Sequence, residues 1–176
     1  MKTILITGAG RGIGFAVAQT LNRPTNKLIL VTQTSRSCKK LAESFPAASI
    51  FAVNLADAES RNRFISIMKR TIKKLDILVN NAGFYLGKKY EKTSQEELDK
   101  LYTIHLQTPF VLTQKLLPLL KIAMHPQVIN ISSAATYARL PTESAYTAVK
   151  AGLSSLGDVL QKELQRYRIR ITTIHP

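Results

Sequence analysis

Short apolar segments alternate with helix-like segments along nearly the whole chain, and this alternation restricts the fold more than any other feature. Strands are predicted at residues 3–7, 27–32, 49–53, 76–79, 127–131 and 169–174. Each reads as a nearly continuous apolar run, which is typical of strands buried on both faces of a parallel sheet. With right-handed crossovers, the expected α/β fold is a doubly wound parallel sheet of six strands in a three-layer sandwich.

Helices are predicted at residues 12–21, 36–44, 57–72, 94–120 and 144–166. Asp57 is placed to cap the third helix, and Ser94 followed by Glu97 has the pattern of a capping box at the start of the fourth. The chain of 176 residues has no linker, repeat or low-complexity segment, so residues 1–176 are interpreted as one Rossmann-like domain.

Several functional classes are disfavoured by composition. No apolar run reaches the roughly 18 residues of a membrane span, and no signal peptide is recognisable, so no membrane partner is expected. Cys38 is the only cysteine, which excludes an internal disulfide and favours a cytoplasmic location. His125 and His175 lie outside any cluster with metal-ligand spacing, so no metal is expected.

A formal net charge of +14 raises the question of an anionic partner. Nucleic acid is the first class to consider, but the basic residues are dispersed in the sequence and form no Arg-rich arm, so nucleic acid is disfavoured. Two alternatives stay open: a solvated basic face, and attraction of an anionic cofactor or an acidic carrier protein.

A glycine-rich turn follows the first strand and opens the first helix. Gly8, Gly12 and Gly14 fit the spacing G-x-x-x-G-x-G, whereas the strict G-x-G-x-x-G spacing fails. Such glycines let the backbone approach a pyrophosphate, and the helix N-terminus offers free N–H groups. We predict that this turn, with Arg11 and Ile13, binds a dinucleotide. A tight turn with a purely structural role is the alternative.

The residues after the second strand favour NADPH over NADH. An NAD-binding turn is usually followed about 20 residues later by an acid that holds the ribose 2′-hydroxyl. No Asp or Glu lies between Phe15 and Ala42. Arg11 and Arg36 are instead predicted to bind a 2′-phosphate, which a guanidinium group suits.

Three further motifs, in order, make the chain resemble the short-chain dehydrogenase/reductase family. They are Asn80-Asn81-Ala82-Gly83 after the fourth strand, Ser132-Ser133 after the fifth, and Tyr146-x-x-x-Lys150 in the next helix. The resemblance extends over essentially the whole chain. It implies that Asn80 secures the fourth strand, that Ala82 and Gly83 line the adenosine ribose, and that Lys150 also binds the nicotinamide ribose.

The chemistry of the tyrosine and lysine agrees with this resemblance. Residues four apart share a helix face, so Tyr146 and Lys150 project together. A nearby ammonium favours a phenolate, and a phenol tuned in this way can give its proton to a carbonyl oxygen. The family's serine lies thirteen residues before the tyrosine, which selects Ser133 over Ser132 to hold the substrate oxygen.

The sequence departs from the family in three places. Asn54-Leu55 stands where an aspartate usually contacts adenine, and Asn keeps an acceptor oxygen. His105 replaces a catalytic asparagine that holds a relay water; it is interpreted as a catalytic residue that can titrate, with a weakened relay or simple packing as alternatives. Beyond the position of Pro176 the family has a mobile lid and a seventh strand, and these 176 residues end before both.

The resemblance implies an NADPH-dependent reductase that converts a carbonyl to an alcohol. Among family members, 3-oxoacyl-acyl-carrier-protein reductases are the most similar in appearance, with small-ketone and sugar reductases as alternatives. A non-catalytic NADPH-binding sensor or interaction protein is the alternative from another class. The unusually apolar fourth helix and the helix carrying Tyr146 predict a homodimer.

Overall fold

The computed structural model describes all 176 residues and contains one parallel sheet of six strands covered by helices on both faces. The strands are β1 Lys2–Thr7, β2 Asn26–Thr32, β3 Ser49–Ala52, β4 Ile77–Asn80, β5 Gln127–Ile131 and β6 Arg170–Ile174. They lie in the order β3-β2-β1-β4-β5-β6. This confirms the predicted doubly wound architecture, and every predicted strand is present with bounds that differ by at most one residue.

Seven α-helices alternate with the strands. They are α1 Gly12–Leu21, α2 Ser35–Ser44, α3 Ala58–Thr71, α4 Gln95–Tyr102, α5 Thr108–Ile122, α6 Ala135–Ala138 and α7 Ser144–Leu164. Both predicted caps form. Asp57 accepts a hydrogen bond from the Ser60 N–H at 2.6 Å, and Ser94 and Glu97 form a reciprocal capping box. No helix has both the length and the apolar character that crossing a membrane requires.

The predicted continuous helix over residues 94–120 is wrong in its middle. A π-helical segment, Thr103–Gln107, separates α4 from α5. Pro109 is the second residue of α5 and has no N–H, so it cannot donate to the carbonyl of His105 as a regular helix requires. Single π-turns of this kind frequently lie at functional sites. Helix α6 was not predicted, because four residues are too few to show a periodic pattern.

Two buried clusters flank the sheet. Leu5, Ile29 and Leu78 belong to a cluster of 19 buried residues that includes side chains of α3 and α5. Ile4 and Leu30 belong to a cluster of 10 that includes side chains of α1 and α2. Neighbouring residues of one strand thus pack on opposite faces, which explains why the strands read as continuous apolar runs.

The strand order reverses between β1 and β4, because β1 is followed in sequence by β2 on its other side. Ligands of such sheets bind at the carboxyl ends of the strands beside this reversal. The Thr7 hydroxyl joins the two strand ends there. It donates to the Val79 carbonyl at 3.1 Å and accepts from the Asn81 and Ala82 N–H groups at 2.9 and 3.0 Å.

Candidate active site

A cleft of about 770 Å³ opens at the carboxyl ends of β1 to β4. The glycine-rich turn forms one side, and the residues after β2, β3 and β4 form the rest. The predicted cofactor residues that line it are Gly8, Arg11, Gly12, Ile13, Asn54, Leu55, Ala82 and Gly83. The fold therefore gathers four separate sequence motifs around one elongated cavity, whose size suits a ligand of cofactor dimensions.

The glycines of the turn are required for two different reasons. Gly8 and Gly12 have φ values of 67° and 57°, in the left-handed region. A Cβ on Gly8 would also lie 2.8 Å from the Cα of Ala82, and a Cβ on Gly14 would collide with the side chain of Asn81 and the carbonyl of Gly8. The turn is thus packed directly against the end of β4, while the N-terminus of α1 stays free of any side-chain cap.

Asn81 is a site residue that the sequence analysis missed. Its Nδ2 donates to the carbonyls of Thr7 and Gly8 at 2.8 and 3.1 Å, and the residue lines the cleft. Asn80 is buried beneath the cleft and lines no part of it; its Nδ2 donates to Asn130 Oδ1 at 2.9 Å. The position of the strand end was the signal in the sequence that could have identified Asn81. Asn80 is the last residue of β4, so Asn81 is the first residue beyond the strand, on the side of the cleft.

The region after β2 differs in detail from the prediction. Arg11 lines the cleft, whereas Arg36 is exposed in the first turn of α2 and does not line it. Thr34 and Ser37 lie on the cleft wall instead, and Thr34 caps α2 by accepting from the Ser37 N–H at 3.2 Å. Lys100, from the last turn of α4, adds a second cation to the cleft.

A second cavity of about 300 Å³ adjoins the cleft and contains all four predicted catalytic residues, Ser133, Tyr146, Lys150 and His105. Ile13, Asn81, Gly83 and Phe84 line both cavities, so the two are continuous. Residues that lie up to 45 positions apart in the sequence therefore surround one small space next to the predicted nicotinamide end of the cleft.

Lys150 is held beneath this cavity. It is 5% exposed, and its Nζ donates to the carbonyl of Ile131 at 2.8 Å. The ammonium lies 5.7 Å from the centre of the Tyr146 ring. Burial lowers the pKa of Lys150 to about 8, because it penalises the charged form and no carboxylate compensates for it. The residue is thus a cation near neutral pH that loses its proton in mildly basic solution.

The two serines after β5 have different environments. Ser132 is buried; its Oγ donates to the carbonyl of Lys150 at 3.0 Å and lies 2.8 Å from Ser154 Oγ, so it anchors α7. Ser133 is partly exposed to the cavity, and its Oγ accepts from the Ala135 N–H at 3.2 Å. Ser133 thus retains a hydroxyl proton that can be donated to a ligand.

His105 projects from the π-helical segment and is 2% exposed. Its Nε2 lies 2.8 Å from the Phe84 carbonyl and 3.2 Å from the Phe84 N–H, while Nδ1 is buried without a hydrogen-bond partner. Burial, followed by the positive charge of Lys150, lowers the pKa of His105 to about 4. The ring is therefore neutral at neutral pH, which argues against a role for His105 that depends on titration in the working range.

Two aromatic residues directly after Gly83 were also missed. Phe84 and Tyr85 line the small cavity, and the Tyr85 ring meets the Tyr146 ring edge-on at 5.2 Å. Tyr85 Oη donates to Glu143 Oε1 at 2.8 Å, and this hydrogen bond raises the pKa of Tyr85. Their position immediately after N-N-A-G was the only signal in the sequence.

Comparison with known proteins agrees with this geometry. Residues 2–176 match the family model described as short chain dehydrogenase. The 3-oxoacyl-(acyl-carrier-protein) reductase of Rickettsia typhi is 33% identical over 176 residues, which are 99% of this chain and 71% of that protein. Carbonyl reductase (NADPH) 2 of Sus scrofa is 26% identical over 173 residues, 98% of this chain and 69% of that protein.

Solved structures show the same fold. A short-chain dehydrogenase from Streptomyces avermitilis superposes with a TM-score of 0.93 and 29% identity, covering 99% of this chain and 65% of that one. A metagenomic short-chain oxidoreductase in complex with NADP superposes with a TM-score of 0.92 and 28% identity, covering 99% of this chain and 81% of that one.

Proposed function

Because the chain belongs to the short-chain dehydrogenase family and is an oxidoreductase of that family, we propose that it reduces a carbonyl to an alcohol with NADPH. The observation that carries this proposal is the shared cavity. Ser133, Tyr146 and Lys150 line one space of about 300 Å³ that opens directly into the larger cleft. A purely nucleotide-binding protein has no use for all three side chains.

The cleft fits a dinucleotide by shape. Gly8 and Gly14 have no side chains, which lets the turn pack against the end of β4. The N-terminus of α1 has no side-chain cap, so its free N–H groups can bind a pyrophosphate. Asn54 and Leu55 would hold the adenine, Ala82 and Gly83 the adenosine ribose, and Lys150 the nicotinamide ribose. When bound there, the nicotinamide supplies the hydride.

The chain's own residues supply orientation and the proton. Ser133 donates a hydrogen bond from its hydroxyl group to the carbonyl oxygen of the substrate, which orients that oxygen, and it keeps its proton. Tyr146 gives its phenolic proton to that same oxygen as the alcohol forms. The Lys150 ammonium, 5.7 Å from the centre of the tyrosine ring, stabilises the phenolate that remains. Each role needs only side chains that already face the cavity.

Phosphate recognition supports NADPH as the cofactor. Arg11, Thr34 and Ser37 all line the cleft, and no Asp or Glu lies between Phe15 and Ala42 to bind a free 2′-hydroxyl. A guanidinium group and two hydroxyl groups suit a 2′-phosphate. The relatives point the same way, since one is named for NADPH and one was solved with NADP.

For the substrate, we propose a 3-oxoacyl thioester, because the relative with 33% identity is a 3-oxoacyl-(acyl-carrier-protein) reductase. The test is a panel in which NADPH consumption is followed with 3-oxoacyl thioesters, small ketones and keto sugars. Fastest turnover of the thioesters supports the proposal. Preference for another carbonyl would keep the reductase and replace the substrate, whereas NADPH binding without any turnover would favour the sensor.

A homodimer remains part of the proposal. Leu98 and Tyr102 of α4, Phe110 of α5 and Val159 of α7 are 38% to 50% exposed. Large apolar side chains exposed on neighbouring helices are typical of an interface. A second copy of the chain is the partner we propose for this surface.

A further inference from the structure

The amino-end edge of the sheet lies opposite the cleft and gathers residues that are distant in the sequence. The covering helices run antiparallel to the strands, so their last turns, the connections that follow and the first residues of the strands all meet there. Backbone hydrogen bonds join these connections: the Lys2 N–H donates to the Thr25 carbonyl, and the Arg170 N–H to the Pro126 carbonyl, both at 3.0 Å. We call this surface the basic edge.

The connection from α3 to β4 places four cations on the basic edge. Lys69 and Arg70 lie in the last turn of α3, and Lys73 and Lys74 lie before β4. Among these four cations, Lys74 alone has a carboxylate partner, Asp76, at 2.9 Å. Most of the positive charge in this connection is therefore not neutralised by the protein itself.

The connection from α7 to β6 adds a second group. Lys162 lies in the last turn of α7, Arg166 and Arg168 lie in and after the following 3₁₀ turn, and Arg170 begins β6. All four are exposed. Glu163 is the acid of this group, and none of the four cations forms a salt bridge with it.

Four further cations complete the edge: Lys2 and Lys27 near the starts of β1 and β2, Arg23 in the connection from α1 to β2, and Lys121 in the last turn of α5. The basic edge thus holds twelve of the 25 Lys and Arg residues of the chain, and three of its 11 acids. Those acids are Glu43, Asp76 and Glu163. Nine of the 14 excess positive charges therefore lie on one edge, although the basic residues are dispersed in the sequence.

Compensation of helix dipoles explains only part of this charge. Cations in a last turn interact favourably with the helix C-terminus, which accounts for Lys69, Arg70, Lys121 and Lys162. The other eight cations of the edge lie in connections or at strand starts, where no helix requires them. An external anionic partner accounts for the four cations in the last helical turns and for the other eight cations as well.

The connection from α5 to β5 indicates which anionic partner fits. Ile122 ends α5 and Met124 lies in the connection, and the two side chains are 64% and 79% exposed close to Lys121 in the sequence. Exposed aliphatic side chains next to cations are typical of surfaces that lie in the interface of an anionic membrane. Binding of single-stranded nucleic acid would instead need free aromatic faces. The Tyr167 ring on this edge is covered, with Lys121 Nζ at 3.5 Å and Arg166 at 4.8 Å from its centre.

We propose that the basic edge docks this protein on the surface of an anionic phospholipid bilayer, with Ile122 and Met124 entering the headgroup region. The cleft at the opposite edge then faces solvent and stays accessible. This contact at the bilayer surface requires no membrane-spanning helix. It differs from the expectation, drawn from the sequence, that the protein has no membrane partner. The inference is independent of the proposed reductase activity.

The test is cosedimentation of the full chain with vesicles of phosphatidylcholine alone and of equal parts phosphatidylcholine and phosphatidylglycerol. We expect binding to the anionic vesicles only, with affinity that decreases as salt is added. Each basic residue near an anionic surface strengthens binding about fivefold. Replacing Arg23, Lys73 and Arg170 together by Gln should therefore weaken binding about a hundredfold.

Two variants separate this edge from the charge of the whole protein. In the control, Lys39, Lys89 and Lys92 are replaced by Gln, which removes the same charge away from the basic edge, and binding should change little. Replacing Ile122 and Met124 by Ser should weaken binding with no change of charge. No binding to anionic vesicles, equal losses in the two charge variants, or tighter binding of single-stranded RNA than of vesicles would each overturn the proposal.

Discussion

The imidazole ring of His105 occupies the space that a side chain on Gly83 would need. A Cβ on Gly83 would collide with the ring atoms Cε1 and Nδ1 of the histidine. The ring is also fixed at Nε2 by the backbone of Phe84 and meets the Tyr146 ring edge-on at 5.6 Å. The glycine of N-N-A-G and the histidine in the π-helical segment thus form one packed unit beside Tyr146, the proposed proton donor.

This relationship predicts a coupled effect of two substitutions. Gly83→Ala forces the histidine ring to move and should lower the free energy of unfolding by about 1–3 kcal/mol. In a His105→Ala background the space is open, so the same glycine substitution should cost much less. Urea unfolding of the four proteins in this double-mutant cycle measures the coupling. Additive losses would show that the two residues do not share this space.

Burial of neutral His105 predicts a specific loss of stability in acid. The folded pKa of about 4 lies below the ordinary value of about 6.5, so between these values the unfolded chain binds a proton that the folded protein does not. Stability should therefore fall as the pH drops from about 6.5 to about 4, by up to roughly 3 kcal/mol from this residue. His105→Asn should lack this component.

The measurement is urea unfolding of both proteins at several pH values, where other titrating groups contribute equally. His125→Asn is the matched control, since His125 is exposed in the connection before β5. An unfolding difference between wild type and His105→Asn that stays constant from about pH 7 to about pH 4 would contradict a buried neutral ring.

Lys150 predicts the pH dependence of turnover. With its pKa lowered to about 8 by burial, it loses the ammonium charge as the pH rises through that value. Because kcat/KM reports groups of the free enzyme, kcat/KM for a carbonyl substrate should fall above about pH 8. The Lys150→Arg variant keeps its positive charge, so its kcat/KM should begin to fall only at higher pH, even if its overall rate is lower. A profile that is flat to about pH 10 would exclude the assigned role.

Arg11 should contribute more than Arg36 to the choice of cofactor. Arg11 lines the cleft and Arg36 does not, so Arg11→Ala should weaken NADPH binding by about 1.5–3 kcal/mol and leave NADH binding nearly unchanged. Arg36→Ala, which removes the same charge from the first turn of α2, should have a smaller effect. Calorimetric titration of both cofactors decides this, and equal or tighter NADH binding by the wild type would contradict the preference.

The architecture was predictable from sequence because the strands are buried on both faces and glycine, cap and catalytic motifs mark their ends. The break between α4 and α5 was not, since the apolar pattern continues through residues 103–107 and Pro109 only excludes a regular hydrogen bond locally. The roles of Asn80 and Asn81 depend on the residue at which β4 ends. A shift of that end by one residue decides which of the two asparagines is buried and which lines the cleft.

Properties that depend on burial were also beyond the sequence. A histidine in place of an asparagine suggests titration near neutral pH, but its pKa is lowered by desolvation, which only packing reveals. Likewise, basic residues that are dispersed along the chain meet at one edge only after the six strands form the sheet and the seven helices pack on it. Both properties come from the fold rather than from any local motif.

Tyr146 is the proposed proton donor in a reduction driven by NADPH. Tyr146→Phe removes only the hydroxyl and keeps the ring that packs against His105 and Tyr85. The decisive measurement is NADPH consumption by wild type and variant with the best carbonyl substrate, with NADPH affinity determined for both. We predict that the variant binds NADPH with nearly unchanged affinity and turns over at least about a hundredfold more slowly, as expected for loss of a general acid. Wild-type turnover by the Phe variant would exclude Tyr146 as the proton donor.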